Sequence, residues 1–121
     1  MAQTFMRVEV QAADPSVFDL AFFRRYTMDN RDLELEIIGL FRGQLPTLIK
    51  QMRRAIDPYD WKLATHTLKG SARAVGATRI GEIACELEQL LNAGQVEREA
   101  LLAELEARVG DFETIAVKLY S

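Results

Sequence analysis

The chain has 121 residues, with 15 lysines and arginines against 18 aspartates and glutamates, a formal net charge of −3. That length suits one compact domain with one core; nearly half the residues are apolar and about a quarter are charged, which excludes a disordered or fibrous chain. The charge balance supplies neither the basic field that holds nucleic acid nor a polybasic run for an anionic membrane.

Residues 1–13 lack helical periodicity, and the alternation of Val8 and Val10 hints at a strand with no sheet to join, so this segment reads as an N-terminal arm ahead of a domain over 14–121. The arm has no continuous apolar stretch, so it is not a signal peptide, and no segment approaches the roughly 18 apolar residues of a membrane span. A soluble cytoplasmic protein that folds alone is expected. Cys85 is the only cysteine, which excludes an intrachain disulfide or a Cys-based zinc site and suits a reducing compartment. On a helical pattern it reads as packing.

Asp14-Pro15-Ser16 predicts the start of a short helix running to about Thr27, with Phe18, Leu20, Phe22 and Phe23 as its apolar surface. Asp29 or Asn30 then caps a longer helix, whose Leu33, Ile37, Leu40, Phe41, Leu45, Leu48, Ile49 and Met52 form one stripe in steps of three and four. Pro46 falls inside it and predicts a bend in one continuous helix. Asp57-Pro58 opens a third helix, and Trp61, Ala64, Leu68, Ala72 and Val75 carry its stripe to Gly76. Thr78 caps a fourth, with Ile80, Ile83, Ala84, Leu87, Leu90 and Leu91 on one face and Asn92-Ala93-Gly94 as the stop. A fifth runs from about Val96 to Leu119 on Leu101, Leu102, Leu105, Val109, Phe112, Ile115, Val117 and Leu119. The fold class is all-α: four long helices in an up-down-up-down bundle, with the short N-terminal helix as a lid.

The single histidine, His66, sits on the third helix. At about 100° per residue it points away from the Trp61–Val75 stripe, and Lys62, Lys69, Gly70 and Arg73 fall within about 60° of it. A lone histidine on such a face is ordinarily just a solvated side chain, but its neighbours change the reading. Residues 50–79 hold seven lysines and arginines against Asp57 and Asp60, a local charge of +5 that leaves −8 for the rest. Cations beside a neutral nucleophile repel protons and attract phosphate. A glycine in a helix interior costs roughly 1 kcal/mol relative to alanine. At Gly70, one turn after His66, the missing side chain clears the way for a partner.

The run His66-Thr67-Leu68-Lys69-Gly70-Ser71-Ala72, with Gly76 after it, resembles the signature of histidine phosphotransfer (HPt) domains, and the helix order resembles that family's bundle from about Phe18 to Leu119. The resemblance implies that His66 is phosphorylated on Nε2, that Lys69 contacts the phosphoryl oxygens and that Gly70 admits a receiver domain. It also implies a hydrogen-bonding residue on the next helix, 22 positions on, which here is Glu88. Many phosphorelay members carry glutamine at that place; glutamate resembles the domains of chemotaxis histidine kinases. Read from the residues alone, Glu88 is equally a solvated surface acid. Lys62, Gly70, Arg73 and Phe22 are the candidate partner-binding residues, with Phe18 and Met28 as further apolar candidates for docking.

No nucleotide-binding glycine loop occurs and 121 residues leave no room for a kinase ATP domain beside the bundle, so a phosphocarrier without ATP-dependent kinase activity is expected. No acidic cluster shares the histidine face, so the protein is expected to have no metal or cofactor of its own and the partner receiver to supply Mg²⁺. The resulting expectation is a monomer in a bacterial-type multistep phosphorelay, taking a phosphoryl group from a response-regulator aspartate or a hybrid kinase and yielding it to another receiver. A non-catalytic helical adaptor that binds a receiver or kinase is the alternative, and a dimeric kinase-like bundle is a third reading. A hydrolase pairing Ser71 with His66 is disfavoured by the helix, which turns the two about 140° apart.

Overall fold

A computed structural model describes residues 14–120; the expected arm over 1–13 lies outside the described residues. Five helices and no strands occur among them: α1 (Leu20–Thr27), α2 (Arg31–Arg54), α3 (Pro58–Val75), α4 (Thr78–Glu88) and α5 (Gln95–Tyr120). None is long and apolar enough to cross a membrane.

The first helix begins later than Asp14-Pro15-Ser16 predicts. The Asp14 carboxylate accepts from the backbone N–H of Ser16 at 3.0 Å and from its hydroxyl at 2.8 Å, closing a local turn instead of capping a helix. Asp19 is the cap, accepting from the N–H of Phe22. Its own N–H bonds the carbonyl of Gly76, which ties α1 to the junction after α3. Phe18, a candidate for docking in the sequence, is instead fully buried, its ring 5.2 Å from Phe112 and 5.8 Å from Phe23. An aromatic side chain of that size joins the core wherever the tertiary packing offers it one.

Asn30, and not Asp29, caps α2 by accepting from the N–H of Leu33. Met28 and Asp29 both take left-handed backbone angles in the turn before it. Pro46 does not end the helix; it lies on the exposed side, away from the buried stripe. The buried stripe is Ile38, Phe41, Leu45, Leu48, Ile49 and Met52. Leu33 and Leu40, placed in the core by spacing, are exposed and Ile37 is only half-buried. One step around the helix separates the two sets, and packing of neighbours chose the one containing Ile38.

α3 matches its prediction. Asp57 caps it by accepting from the N–H of Tyr59, and Trp61, Ala64, Leu68, Ala72 and Val75 are all buried. Gly76 closes it at φ +82°, and a Cβ there would stand 2.9 Å from the Asp19 carbonyl oxygen. Both the left-handed angle and the close approach require glycine.

Two boundaries move on α4. Ala77 occupies the cap position, while the Thr78 hydroxyl bonds the Gly76 carbonyl. The helix ends at Glu88, short of Asn92. Beyond it the Arg98 guanidinium bonds the carbonyls of Leu90 and Leu91, satisfying them outside a helical ladder. The same guanidinium lies 4.2 Å over the Trp61 ring, whose indole N–H donates to the Leu87 carbonyl. On α5, Leu102, Leu105, Phe112, Ala116, Leu119 and Tyr120 are buried, whereas Val117 is exposed.

α2 packs on α3, α3 on α4, α4 on α5 and α5 back on α2, and α1 rests on α2 and α3. One apolar core therefore lies inside a closed ring of helices. At the corner of α1, α2 and α5 the buried Glu34 carboxylate accepts from the hydroxyls of Thr27 at 2.9 Å and Tyr120 at 3.2 Å and pairs with Arg24. Burial and the nearby Glu34 charge hold the Tyr120 hydroxyl far above its ordinary range.

Candidate functional site

A helix that buries one stripe must turn the opposite side outward. α3 turns out His66, whose side chain is 70% exposed. Lys62, Gly70 and Arg73 are exposed on the same helix, as its wheel predicts. Since α3 and α4 pack together along their length, the last residue of α4 comes level with the middle of α3. That residue is Glu88.

Nδ1 of His66 lies 3.1 Å from Oε2 of Glu88, and Nζ of Lys69 donates to Oε1 of the same carboxylate at 2.7 Å. The Glu88 carboxyl is held below its ordinary range, chiefly by the Lys69 ammonium. Partial burial works against that shift and the His66 bond adds to it. Glu88 is thus ionised at neutral pH, and a carboxylate only accepts hydrogen bonds. Nδ1 must be the donor, so in the neutral ring the proton sits on Nδ1 and the Nε2 lone pair is free.

Lys69 differs from its sequence reading. The wheel sets it among three cations turned to solvent, but its side chain is only 19% exposed and its charge faces Glu88. A Cβ at position 70 would meet no side chain and no other element within 4 Å. Arg73 leans toward α4, its Cγ 3.4 Å from where a Cβ on Gly81 would stand. With Phe22, Asp19, Gly76, Thr78 and Glu82 it lines a depression of about 250 Å³ at the far end of α3. Phe22 and Met28 are both exposed.

The spacing argument missed an apolar groove of about 530 Å³ between α2 and α3, lined by Ile37, Leu40, Phe41, Gln44, Ser71, Ala74 and Val75. It adjoins Gly70 through Ser71, and Leu40 stands 70% exposed beside it. The signal was present, since α2 carries two overlapping apolar stripes; periodicity alone gave both to the core. The outer face of α3 is therefore divided, with charged groups toward α4 and apolar ones toward α2. Among the described residues no three His, Cys, Asp or Glu side chains converge as a cation site.

A family model described as the Hpt domain matches residues 36–115, about two-thirds of the chain. The chain belongs to the Hpt domain family. The matched segment contains His66, Lys69, Gly70 and Glu88, and leaves out α1 and the start of α2. Hpt domains carry out histidine phosphotransfer in phosphorelay signalling and interact with receiver domains and kinases. Comparison with curated proteins and with solved structures returned no match. What is particular to this Hpt domain therefore rests on its own geometry.

Proposed function

We propose that His66 is the phosphoryl carrier of this Hpt domain, taking the group from a receiver aspartate or a hybrid kinase and passing it to the aspartate of another receiver. The observation that carries this reading is the Nδ1 contact with Glu88 on a ring 70% exposed. Nε2 attacks phosphorus, the N–P bond forms, the P–O bond to the aspartyl carboxylate breaks, and the carboxylate leaves with its electron pair. Nδ1 keeps its proton throughout, and the Glu88 charge stabilises the positive ring that results. Return transfer reverses these bonds on the second receiver. Mg²⁺ belongs to the receiver's side of the exchange.

In the same reading a receiver docks over Gly70 with its apolar surface in the α2–α3 groove at Leu40, while Lys62 and Arg73 meet its acidic rim. Phe22 lies at the end of that surface. The contact is small and transient. The ring of helix contacts is read as an up-down-up-down bundle with α1 as its lid, within a domain over 14–121. A cytoplasmic monomer suits the role.

The test is incubation with a ³²P-labelled phospho-receiver in Mg²⁺, comparing the native chain with His66→Ala. Label that survives base, is lost in acid and is absent from the variant supports the carrier. Binding without any label would favour the adaptor reading instead.

A further inference from the structure

The edge of the bundle opposite His66 carries a second groove. His66 faces α4 through Glu88, and in the ring α2, α3, α4, α5 the contact of α5 with α2 lies across from that of α3 with α4. Between α2 and α5 an open groove of about 560 Å³ has Pro46, Ile49, Val109 and Gly110 as its apolar floor. Gly110 lies in the interior of α5, where a glycine costs roughly 1 kcal/mol relative to alanine. A Cβ there would meet no side chain and no other element within 4 Å, so packing within the chain does not demand the glycine. What the missing side chain leaves is width. Lys50, Arg53 and Arg54 stand along the α2 rim, with Glu106 on the α5 rim. Arg53 is already neutralised by its bonds to Glu99 and Glu106. Lys50 and Arg54, four positions apart and so neighbours on one side of α2, have no carboxylate partner among the described residues.

The geometry points to this groove as a docking site for an acidic amphipathic helix of a partner protein, its apolar stripe on Ile49 and Val109 and its carboxylates on Lys50 and Arg54. From Pro46 to Arg54 the α2 wall rises about 12 Å, the length of two helical turns. A helix laid in such a groove seats apolar residues at i, i+3, i+4 and i+7. Charge selects the partner, because a chain of net charge −3 repels acidic proteins in general and presents two unpaired cations here. The floor favours a helix over a nucleic acid, whose phosphates gain nothing from Pro46 and Val109. A partner held there leaves the imidazole of His66 open on the other edge. The proposal stands apart from the carrier reading, since docking is read without any phosphate.

The probe is a fluorescein-labelled peptide of about 18 residues, with leucines at i, i+3, i+4 and i+7 spacing flanked by glutamates, titrated with the intact protein by fluorescence anisotropy. A peptide of the same composition with its leucines distributed around the helix should bind about tenfold more weakly. Lys50→Glu combined with Arg54→Glu should weaken binding of the first peptide by about tenfold or more, and Gly110→Leu, which fills the groove, should do the same. Arg25→Glu combined with Lys118→Glu reverses the same charge at two other exposed positions. In about 0.15 M salt, which screens beyond about 8 Å, that pair should change affinity less than about twofold. Saturating peptide should leave labelling of His66 by phosphoramidate, a small phosphoryl donor, within about twofold. No binding at about 1 mM peptide overturns the proposal, as does full affinity in the Lys50 and Arg54 variant or equal binding of the redistributed peptide. Loss of labelling on adding peptide overturns it too, placing the peptide on the histidine face. Three reassignments of the groove would also overturn it. A sedimentation mass of two chains that falls to one in Gly110→Leu gives it to a second copy. A duplex oligonucleotide that displaces the peptide gives it to nucleic acid, and a tenfold gain in affinity on Phe5→Asp gives it to the first residues of this chain.

Discussion

Replacing Gly70 should raise stability while blocking the partner, a combination that few other functional positions allow. Gly70 lies in the interior of α3, and a Cβ there meets nothing within 4 Å. Gly70→Ala should therefore gain the full propensity difference, about 1 kcal/mol, which raises the melting temperature by about 4 °C in a domain of this size. Gly70→Gln should gain about half as much, since glutamine is a slightly poorer helix former than alanine. Its side chain then stands beside an imidazole that is 70% exposed, in the space that the proposed docking gives to a receiver. Transfer from a phospho-receiver should fall at least tenfold, while labelling by phosphoramidate, which needs little room, stays within about twofold. Circular dichroism melts and paired labelling time courses read both effects. A lower melting temperature would refute the open-space argument. Equal loss with both donors would mean that the glutamine disturbs His66 itself and does not obstruct docking.

His66→Ala should abolish labelling while changing urea-unfolding stability by less than about 0.5 kcal/mol, because the side chain is mostly in water. Leu40→Glu should weaken receiver binding in a titration without lowering the melting temperature, since Leu40 is largely exposed. Glu34→Ala should cost about 3 kcal/mol in urea unfolding because it removes from a buried site the carboxylate to which the Thr27 and Tyr120 hydroxyls donate. A loss under about 1 kcal/mol there would show that water replaces the carboxylate. The depressed Glu88 carboxyl sets a pH dependence whose sign is fixed. Its contribution is present above the unfolded glutamate value and disappears as pH falls through the lower folded value. The stability difference between the native chain and Glu88→Gln should therefore shrink on acidification from about pH 5 to pH 3, and a difference that grows would reverse the assignment.

Much of this protein is legible in its chain. Asp57, Pro58 and Gly76 mark the ends of α3 because capping is local chemistry, decided within one helical turn. The outward direction of His66 follows as directly, since five buried residues on one side of a helix leave only the other for the imidazole. What spacing cannot decide is which of two neighbouring stripes a helix buries. On α2 the choice between Leu40 and Ile38 rests on what α3 and α5 present, and the rejected stripe became the groove beside Gly70. Asp14 likewise spends its carboxylate on Ser16, a competition between local hydrogen bonds that composition does not resolve. The hydrogen-bonding role of Glu88 is implied only by likeness to a family, and its two hydrogen bonds, one to His66 and one to Lys69, depend on the register of two packed helices. The sequence alone determined that the imidazole of His66 faces outward and which helix presents it, because those are matters of periodicity. Tertiary structure decided which nitrogen of that imidazole meets an acceptor, because the acceptor is 22 residues away in the chain and 3.1 Å away in space.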